Sequence, residues 1–358
     1  MDAPPTPLVG LSSTELQRTL VGMGERAFRG RQLASWIYKK AAREVSQMDD
    51  LPLALRERLQ ESFVVSPLVV AEHKKSSDGV EKLLVHGGDG EVFECVLLPY
   101  EDRVSCCLSS QVGCPMGCTF CATGLGGFDR NLTAGEMVGQ YLLLQSLSER
   151  RIGHVVFMGM GEPLLNLDHL VKAMALLHDE VGLSYRHITV STVGLVPQIR
   201  QLAELRLPIH LALSLHSPYD HIRERLMPVN QKWPVAEVVQ TMRDYARATG
   251  RKVTFEYLLI DGLNDTLEQA DALAPLVKGL PTVVNLIPFN TVDTEQGFAR
   301  PKRERVQAFR RRLESHGVNV TERVERGHDI AAACGQLAGR HKGRFARRKP
   351  ESELPIVS

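Results

Sequence analysis

From residue 104 onward the chain alternates between short, almost unbroken apolar runs and longer stretches whose apolar residues recur every three or four positions. The runs at 104–108, 154–158, 187–191, 209–215, 253–260 and 283–288 have strand length. Helical patterns follow at 133–149, 167–180, 197–205, 235–249, 267–280 and 301–316. The first of these opens on Thr133-Ala134-Gly135-Glu136, a capping box in which hydroxyl and carboxylate each satisfy an unpaired backbone N–H. Strands that are apolar throughout are buried on both faces, so about six βα units of this kind specify a parallel sheet covered by helices. The natural closure is an α/β fold, a partial (βα)6 TIM-like barrel. Chemistry in such a barrel gathers on the loops after the C-terminal ends of the strands.

Residues 1–63 read differently. Leu16, Leu20 and Met23, then Ala34, Trp36, Ile37 and Tyr38, give a small helical module behind a Pro-rich start at 1–10 that is expected to be unfixed. Within it Arg26-Ala27-Phe28-Arg29-Gly30-Arg31-Gln32 is basic with one aromatic; it reads as a solvated helix face or as an RNA-facing surface. Residues 64–99 form a β-rich extension, with short runs at 64–71, 81–85 and 92–98 separated by Ser76-Ser77-Asp78-Gly79 and Gly87-Gly88-Asp89-Gly90. The barrel core then spans 100–339, and 340–358 is a basic tail whose first ten residues carry six Lys or Arg and no acid. With 43 basic against 42 acidic residues, net charge does not draw the whole molecule to nucleic acid, so any RNA contact is local. No apolar run is long enough to cross a bilayer. The absence of a secretory signal, with an odd, clustered set of cysteines, places the chain in the reducing cytoplasm.

Six of the seven cysteines, Cys95, Cys106, Cys107, Cys114, Cys118 and Cys121, lie in one stretch, and Cys334 stands far downstream. Cys114, Cys118 and Cys121 form C-x3-C-x2-C with Phe120 before the last, just after the first barrel strand and before the capped helix. Three thiolates so spaced suit three irons of a [4Fe-4S] cluster, leaving the fourth open; a structural zinc site short of a ligand and buried free thiols are the other readings. One βα unit later comes Gly159-Met160-Gly161-Glu162-Pro163. Gly161 lets backbone approach a ligand, and Glu162 offers an anionic acceptor for an ammonium. Ser191, Ser214-Leu215-His216 and Asn290 end successive strands. Singly each is an ordinary loop group; as a set on one rim they favour binding a cofactor. Cys334, in Ala331-Ala332-Ala333-Cys334-Gly335-Gln336-Leu337, is an inert packed thiol or part of a crowded site.

The three-cysteine loop after a first strand resembles that of radical S-adenosylmethionine enzymes. Together with Ser109-Ser110-Gln111-Val112-Gly113-Cys114, Gly159–Pro163 followed by Leu164-Leu165-Asn166, and Asp329-Ile330 before Ala333-Cys334-Gly335-Gln336-Leu337, it resembles the RlmN/Cfr family of rRNA-methylating enzymes, from about residue 12 to 339. The resemblance implies one [4Fe-4S] cluster per chain on Cys114, Cys118 and Cys121, and two S-adenosyl-L-methionine molecules per turnover. The first methylates Cys334; the second supplies a 5′-deoxyadenosyl radical that takes hydrogen from that S-methyl group. The carbon radical adds to adenine, Glu94 accepts a proton, and Cys107 closes a disulfide with Cys334 to release product. Gly161, Glu162, Ser191, Ser214, Leu215, His216 and Asn290 are the implied cofactor-binding positions. The implied substrate is C2 of an adenosine in 23S rRNA, with tRNA as a second substrate, a one-electron donor such as flavodoxin, and a monomeric chain.

The Cfr-like alternative is methylation at C8. A glycyl-radical activase shares the cluster motif without needing Cys334, and an RNA-binding protein with a structural cluster needs neither. Without the resemblance Glu94 reads as a strand-edge carboxylate. Alternation along a strand sets Cys106 away from the site if Cys107 faces it, and Cys95 and Cys106 are read as packing residues.

Overall fold

The computed structural model describes residues 5–292 and 296–337, so the basic tail expected at 340–358 lies outside the described residues. Of the Pro-rich start expected to be unfixed, residues 6–9 are held; residues 1–4 lie outside the described residues. Strand β1 (Thr6–Pro7) pairs in parallel with β2 (Phe63–Val64). Leu8 N and Val9 N donate to Val64 O and Val65 O at 2.8 and 2.9 Å, and both side chains are buried. The apolar pair Leu8-Val9 is what secures it. Between the two strands run α1 (Ser13–Gly22), α2 (Phe28–Ala34), a wide helical turn at Ser35–Lys39, and α3 (Leu53–Ser62). Helix α1 opens on its own capping box, with Ser12 and Glu15 exchanging backbone-to-side-chain bonds. The helical module docks closely: a Cβ on Gly10 would stand 2.8 Å from Gly135 Cα, and Lys172 pairs with Glu15 at 2.8 Å.

The remaining strands of the extension are β3 (Val69–Lys75), β4 (Glu81–His86) and β5 (Val92–Pro99), followed by β6 (Val104–Cys107). The run expected at 64–71 is broken in two around Pro67, which has no N–H for a ladder. The cluster loop sits between β7 (Gln111–Gly113), a short α4 (Ala122–Leu125) and β8 (Phe128–Asn131), with β7 and β8 pairing as a hairpin. Then follow α5 (Ala134–Gln145), β9 (His154–Phe157), α6 (Leu167–Asp179), β10 (Ile188–Thr192), α7 (Val196–Glu204), β11 (His210–Ser214), α8 (Asp220–Leu226), α9 (Val235–Thr249), β12 (Val253–Leu259), α10 (Leu267–Val277), β13 (Thr282–Pro288), α11 (Arg303–Ser315) and β14 (Val320–Glu322). Helix α5 stops at Gln145, earlier than its apolar pattern suggests, because the Gln145 amide takes over the turn, donating to Ser148 O and accepting from Ile152 N.

One ten-stranded sheet runs in the order β3-β4-β5-β6-β9-β10-β11-β12-β13-β14. Pairing is antiparallel from β3 to β6 and parallel from β6 to β14. The extension is thus part of the barrel's own sheet, and the six expected strands gain a seventh parallel partner, β14. The result is a partial barrel with helices outside. Fully buried Phe157, Phe255, Tyr257 and Phe309 help fill its core, each stabilising by roughly 1.5–3 kcal/mol.

Between the sheet's two edges runs the segment after β14. Arg326 Nη2 donates to Asp78 O at 2.5 Å, Gly327 N to Asp78 Oδ2 at 3.1 Å, Ser76 Oγ to Asp329 Oδ1 at 2.5 Å, and Lys82 Nζ to Ala331 O at 3.0 Å. The β3–β4 turn and the start of β4 thus hold the C-terminal segment across the mouth.

Candidate active site

The cluster loop is shaped by glycine. Gly113 has φ +73°, and a Cβ there would fall 2.1 Å from Gly127 O, so only Gly lets Cys114 N donate to Gly127 O at 2.7 Å. Thr119 N bonds Leu226 O at 3.0 Å, tying the loop to the end of α8. Cys114, Cys118 and Cys121 all face one cavity of about 1550 Å³, open part included. Among the described residues no three His, Cys, Asp or Glu side chains converge closely enough to share one metal ion.

The loop after β9 forms the next wall. A Cβ on Gly159 would meet Ser109 Oγ at 2.7 Å, and Gly161, at φ +101°, would meet Gln111 Cβ at 2.5 Å. Both positions are closed to any side chain. Glu162 is almost fully buried; its Oε1 accepts from Leu164 N at 3.0 Å and its Oε2 from Val193 N at 2.9 Å. Burial pushes its carboxyl up to about 7, and the backbone N–H groups pull the other way. A cationic ligand would offset that desolvation.

Ser191 and Ser214 line the same cavity from the ends of β10 and β11. Leu215 does not reach it with its side chain, which is in the core; its backbone N donates to Glu256 O at 3.0 Å. His216 does, with φ +60°. Its Nδ1 accepts from Leu258 N at 3.0 Å, which assigns the proton to Nε2. Burial, helped by Arg223, pushes its pKa down to about 3, so the ring is neutral, and it meets Phe120 edge-on at 4.9 Å. Asn290 Nδ2 donates to Cys334 O at 3.2 Å, while its buried Oδ1 has no partner among the described residues. An orphaned acceptor on this wall fits a polar ligand.

Cys107 and Cys334, distant in sequence, face this cavity together. Burial pushes the Cys107 thiol up to about 12, and the nearby Cys334 adds to the rise; the two are unlinked. The segment around Cys334 is seated against the cluster loop, with Ala122 N donating to Gly335 O at 2.8 Å and Thr123 Oγ1 to Leu337 O at 2.5 Å. Cys95 and Cys106 are fully buried and off the cavity wall. Glu94 is not on the wall either. It shares the face of Val96 and Leu98, which are, and pairs with Lys82 at 2.9 Å.

Residues 108–274 match the family model for the radical SAM superfamily, and residues 6–65 match that for the ribosomal RNA large subunit methyltransferase N-terminal domain. Over 347 residues the chain is 47% identical to the probable dual-specificity RNA methyltransferase RlmN of Symbiobacterium thermophilum, covering 94% of each protein. This chain belongs to the RlmN family. A second relative of the same description, from Parasynechococcus marenigrum, is 46% identical over 94% of this chain and 99% of its own length. The crystal structure of a radical SAM methyltransferase from Sphaerobacter thermophilus matches with a TM-score of 0.91 at 42% identity, covering 94% of this chain and 100% of that one. RlmN-family membership brings with it a [4Fe-4S] cluster and S-adenosylmethionine, and the three thiols, Glu162 and the orphaned Asn290 acceptor fit those groups. Among the described residues no helix is long and apolar enough to cross a membrane.

Four residues of this RlmN-family site escape motif reading. Arg223 is wholly buried, donating to Val193 O, Ser214 O, Leu215 O and Asn230 Oδ1, so one guanidinium ties the ends of β10 and β11 together. Its sequence setting gives no signal. Arg323 lines the cavity, and its charge is reinforced by Cys334 first, then, against the cost of burial, by Glu256 and Cys107. Glu256 accepts from Asn285 Nδ2 at 2.8 Å; a lone acid within the apolar run 253–260 was the visible clue. Lys82 is the fourth.

Proposed function

We propose that this chain methylates C2 of an adenosine in 23S rRNA, and of an adenosine in some tRNAs, by ping-pong transfer through S-methyl-Cys334, in the cytoplasm. The observation that carries this reading is the meeting of Cys107 and Cys334 in the cavity lined by the cluster loop. A cofactor-cleaving enzyme that acts directly on its substrate has no use for a pair of thiols there.

Adenine C2 lies between two ring nitrogens, is electron-poor, and has no lone pair with which to attack a sulfonium methyl. A carbon radical is therefore required. When bound, the cluster on Cys114, Cys118 and Cys121, together with S-adenosylmethionine, supplies an electron and a 5′-deoxyadenosyl radical able to take hydrogen from an unactivated methyl. The chain's residues do the rest. Glu162 accepts the cofactor's ammonium, and Ser191, Ser214, His216 and Asn290 orient it on the rim. Cys334, beside Arg323, is the nucleophile that takes the first methyl. Glu94 takes the C2 proton from the RNA adduct. The radical adduct also gives up one electron, which the cluster would take back when bound. Attack of the Cys107 thiolate on the Cys334 sulfur then forms the disulfide and breaks the bond between sulfur and the transferred carbon, which picks up a proton to become the methyl group, and a two-electron reduction of that disulfide by an external dithiol resets the enzyme. Two equivalents of cofactor are used per methyl placed.

The regiochemistry is tested by mass spectrometry of the target nucleotide after expression in a strain lacking the modification. The expected product is 2-methyladenosine; 8-methyladenosine in its place overturns the C2 reading.

A further inference from the structure

The β4–β5 register sets Lys82 opposite Val96. Opposed residues on neighbouring strands share a face, and so do residues two apart on one strand. Lys82, Val96 and Glu94 therefore share one face of the sheet, and Lys82 reaches Glu94 on the diagonal, Nζ to Oε1 at 2.9 Å. Both side chains are nearly out of solvent, 10% and 5% exposed. The same ammonium donates to Ala331 O at 3.0 Å. Ala331 has φ +51°, a left-handed conformation that side-chain-bearing residues adopt at a cost of about 1–2 kcal/mol, and it lies three positions before Cys334. The turn is closed from within by Ala331 N and Ala332 N, donating to His328 O and Gly327 O at 3.1 and 2.9 Å, and Lys82 adds a hold from outside on its Ala331 carbonyl.

We propose that Lys82 is a positioning residue that serves both halves of the transfer, holding Glu94 as the proton acceptor and fixing the turn that presents Cys334. This rests on the reading of Glu94 and Cys334 given above. The charge-assisted contact fixes the orientation of a carboxylate that is nearly out of solvent. In the step concerned the C2–H bond of the RNA adduct breaks, its electron pair stays on the ring, and the proton passes to a Glu94 oxygen. No electron enters or leaves the protein in that step. An ammonium that binds acceptor and carrier turn together fixes the distance between proton acceptor and transferred carbon, which neither group does alone.

The experiment compares Lys82→Met and Lys82→Arg with the parent enzyme, anaerobically, on an RNA fragment carrying hydrogen or deuterium at the target C2. Lys82→Met is expected to slow product formation at least about tenfold, part of the roughly 10²–10⁴-fold that general-base catalysis contributes in full. Its deuterium isotope effect should exceed the parent's, because proton removal becomes slower than the steps around it, and Lys82→Arg should recover most of the rate. Lys82→Met at the parent's rate, or slowed with an unchanged isotope effect, overturns the proposal. Glu94→Gln in the same assay separates it from the underlying reading. If Glu94→Gln turns over normally, Glu94 is not the acceptor and both fall. If Glu94→Gln is inactive while Lys82→Met behaves as the parent, only the role of Lys82 falls.

Discussion

The His216 ring carries a pH dependence that can be measured apart from catalysis. Its imidazole titrates near 6.5 when solvated and near 3 in the fold, because burial disfavours the cation. Protons then favour the unfolded chain. The stability this ring contributes is complete above about 6.5 and is lost as pH falls toward 3. Glu162, raised by burial, works in the opposite sense, so the comparison must be between parent and variant. In His216→Gln the thermal midpoint should fall less steeply between pH 6.5 and 4 than in the parent; equal slopes would show that the ring is already charged in the fold. Cys107 offers a second residue-level outcome. If it resolves the intermediate, Cys107→Ala should still cleave cofactor but retain the RNA covalently on Cys334, giving a slow-migrating adduct on a denaturing gel. Free methylated RNA at the parent's yield would remove Cys107 from the mechanism. At this scale the sequence was legible where chemistry needs a rare residue type, as with the cysteines and Glu162. It was silent where a common type is made special by burial: nothing around Arg223 or Arg323 distinguishes them from surface arginines until the fold encloses them.

Among the elements, the β3–β4 turn does more than join two strands. Asp78 Oδ2 accepts from Gly327 N and Arg326 Nε at 3.1 and 3.3 Å, and its Oδ1 caps the turn by accepting from Val80 N at 3.2 Å. Asp78→Ala removes these carboxylate acceptors, leaving Gly327 N and Arg326 Nε without a partner there while Arg326 Nη2 keeps the Asp78 carbonyl. Hydrogen exchange of amides 327–337 should speed up at least several-fold with the barrel strands unchanged, and methyl transfer should fall in parallel. Unchanged exchange would mean that the turn does not hold the segment. The six barrel strands could be read because each is a continuous apolar run, and the capped start of α5 because a capping box is local. Strand β14 could not, since three residues, a half-buried Val320 and exposed Thr321 and Glu322, are too few to carry a periodicity; pairing with β13 makes them a strand. The hold on Leu8-Val9 was equally hidden, because it depends on Phe63–Val64, far along the chain.

As a whole molecule this is a nearly neutral protein, at a formal charge of +1, whose site is assembled from both ends of the barrel. The cluster loop and Cys107 come from its beginning, Asn290 and the carrier segment from its end, and the antiparallel extension grips that segment across the open edge. The order of units and the cysteine pattern were enough to anticipate the partial barrel. The way the C-terminal segment spans the gap between β14 and β3 was not, because it is made by Ser76 and Asp78 in a turn and Lys82 at the start of β4, polar residues of a kind that any surface turn or strand end carries. The central claim is that Cys334 carries the methyl carbon on its way to RNA. Its most direct test is a single anaerobic turnover with methyl-labelled S-adenosylmethionine, following the label on the Cys334 peptide and on the target adenosine by mass spectrometry. Label is expected on Cys334 before RNA is added, followed by its loss from Cys334 as labelled 2-methyladenosine appears. Labelled RNA from an enzyme whose Cys334 never carries the methyl, or from Cys334→Ala at the parent's rate, would contradict it.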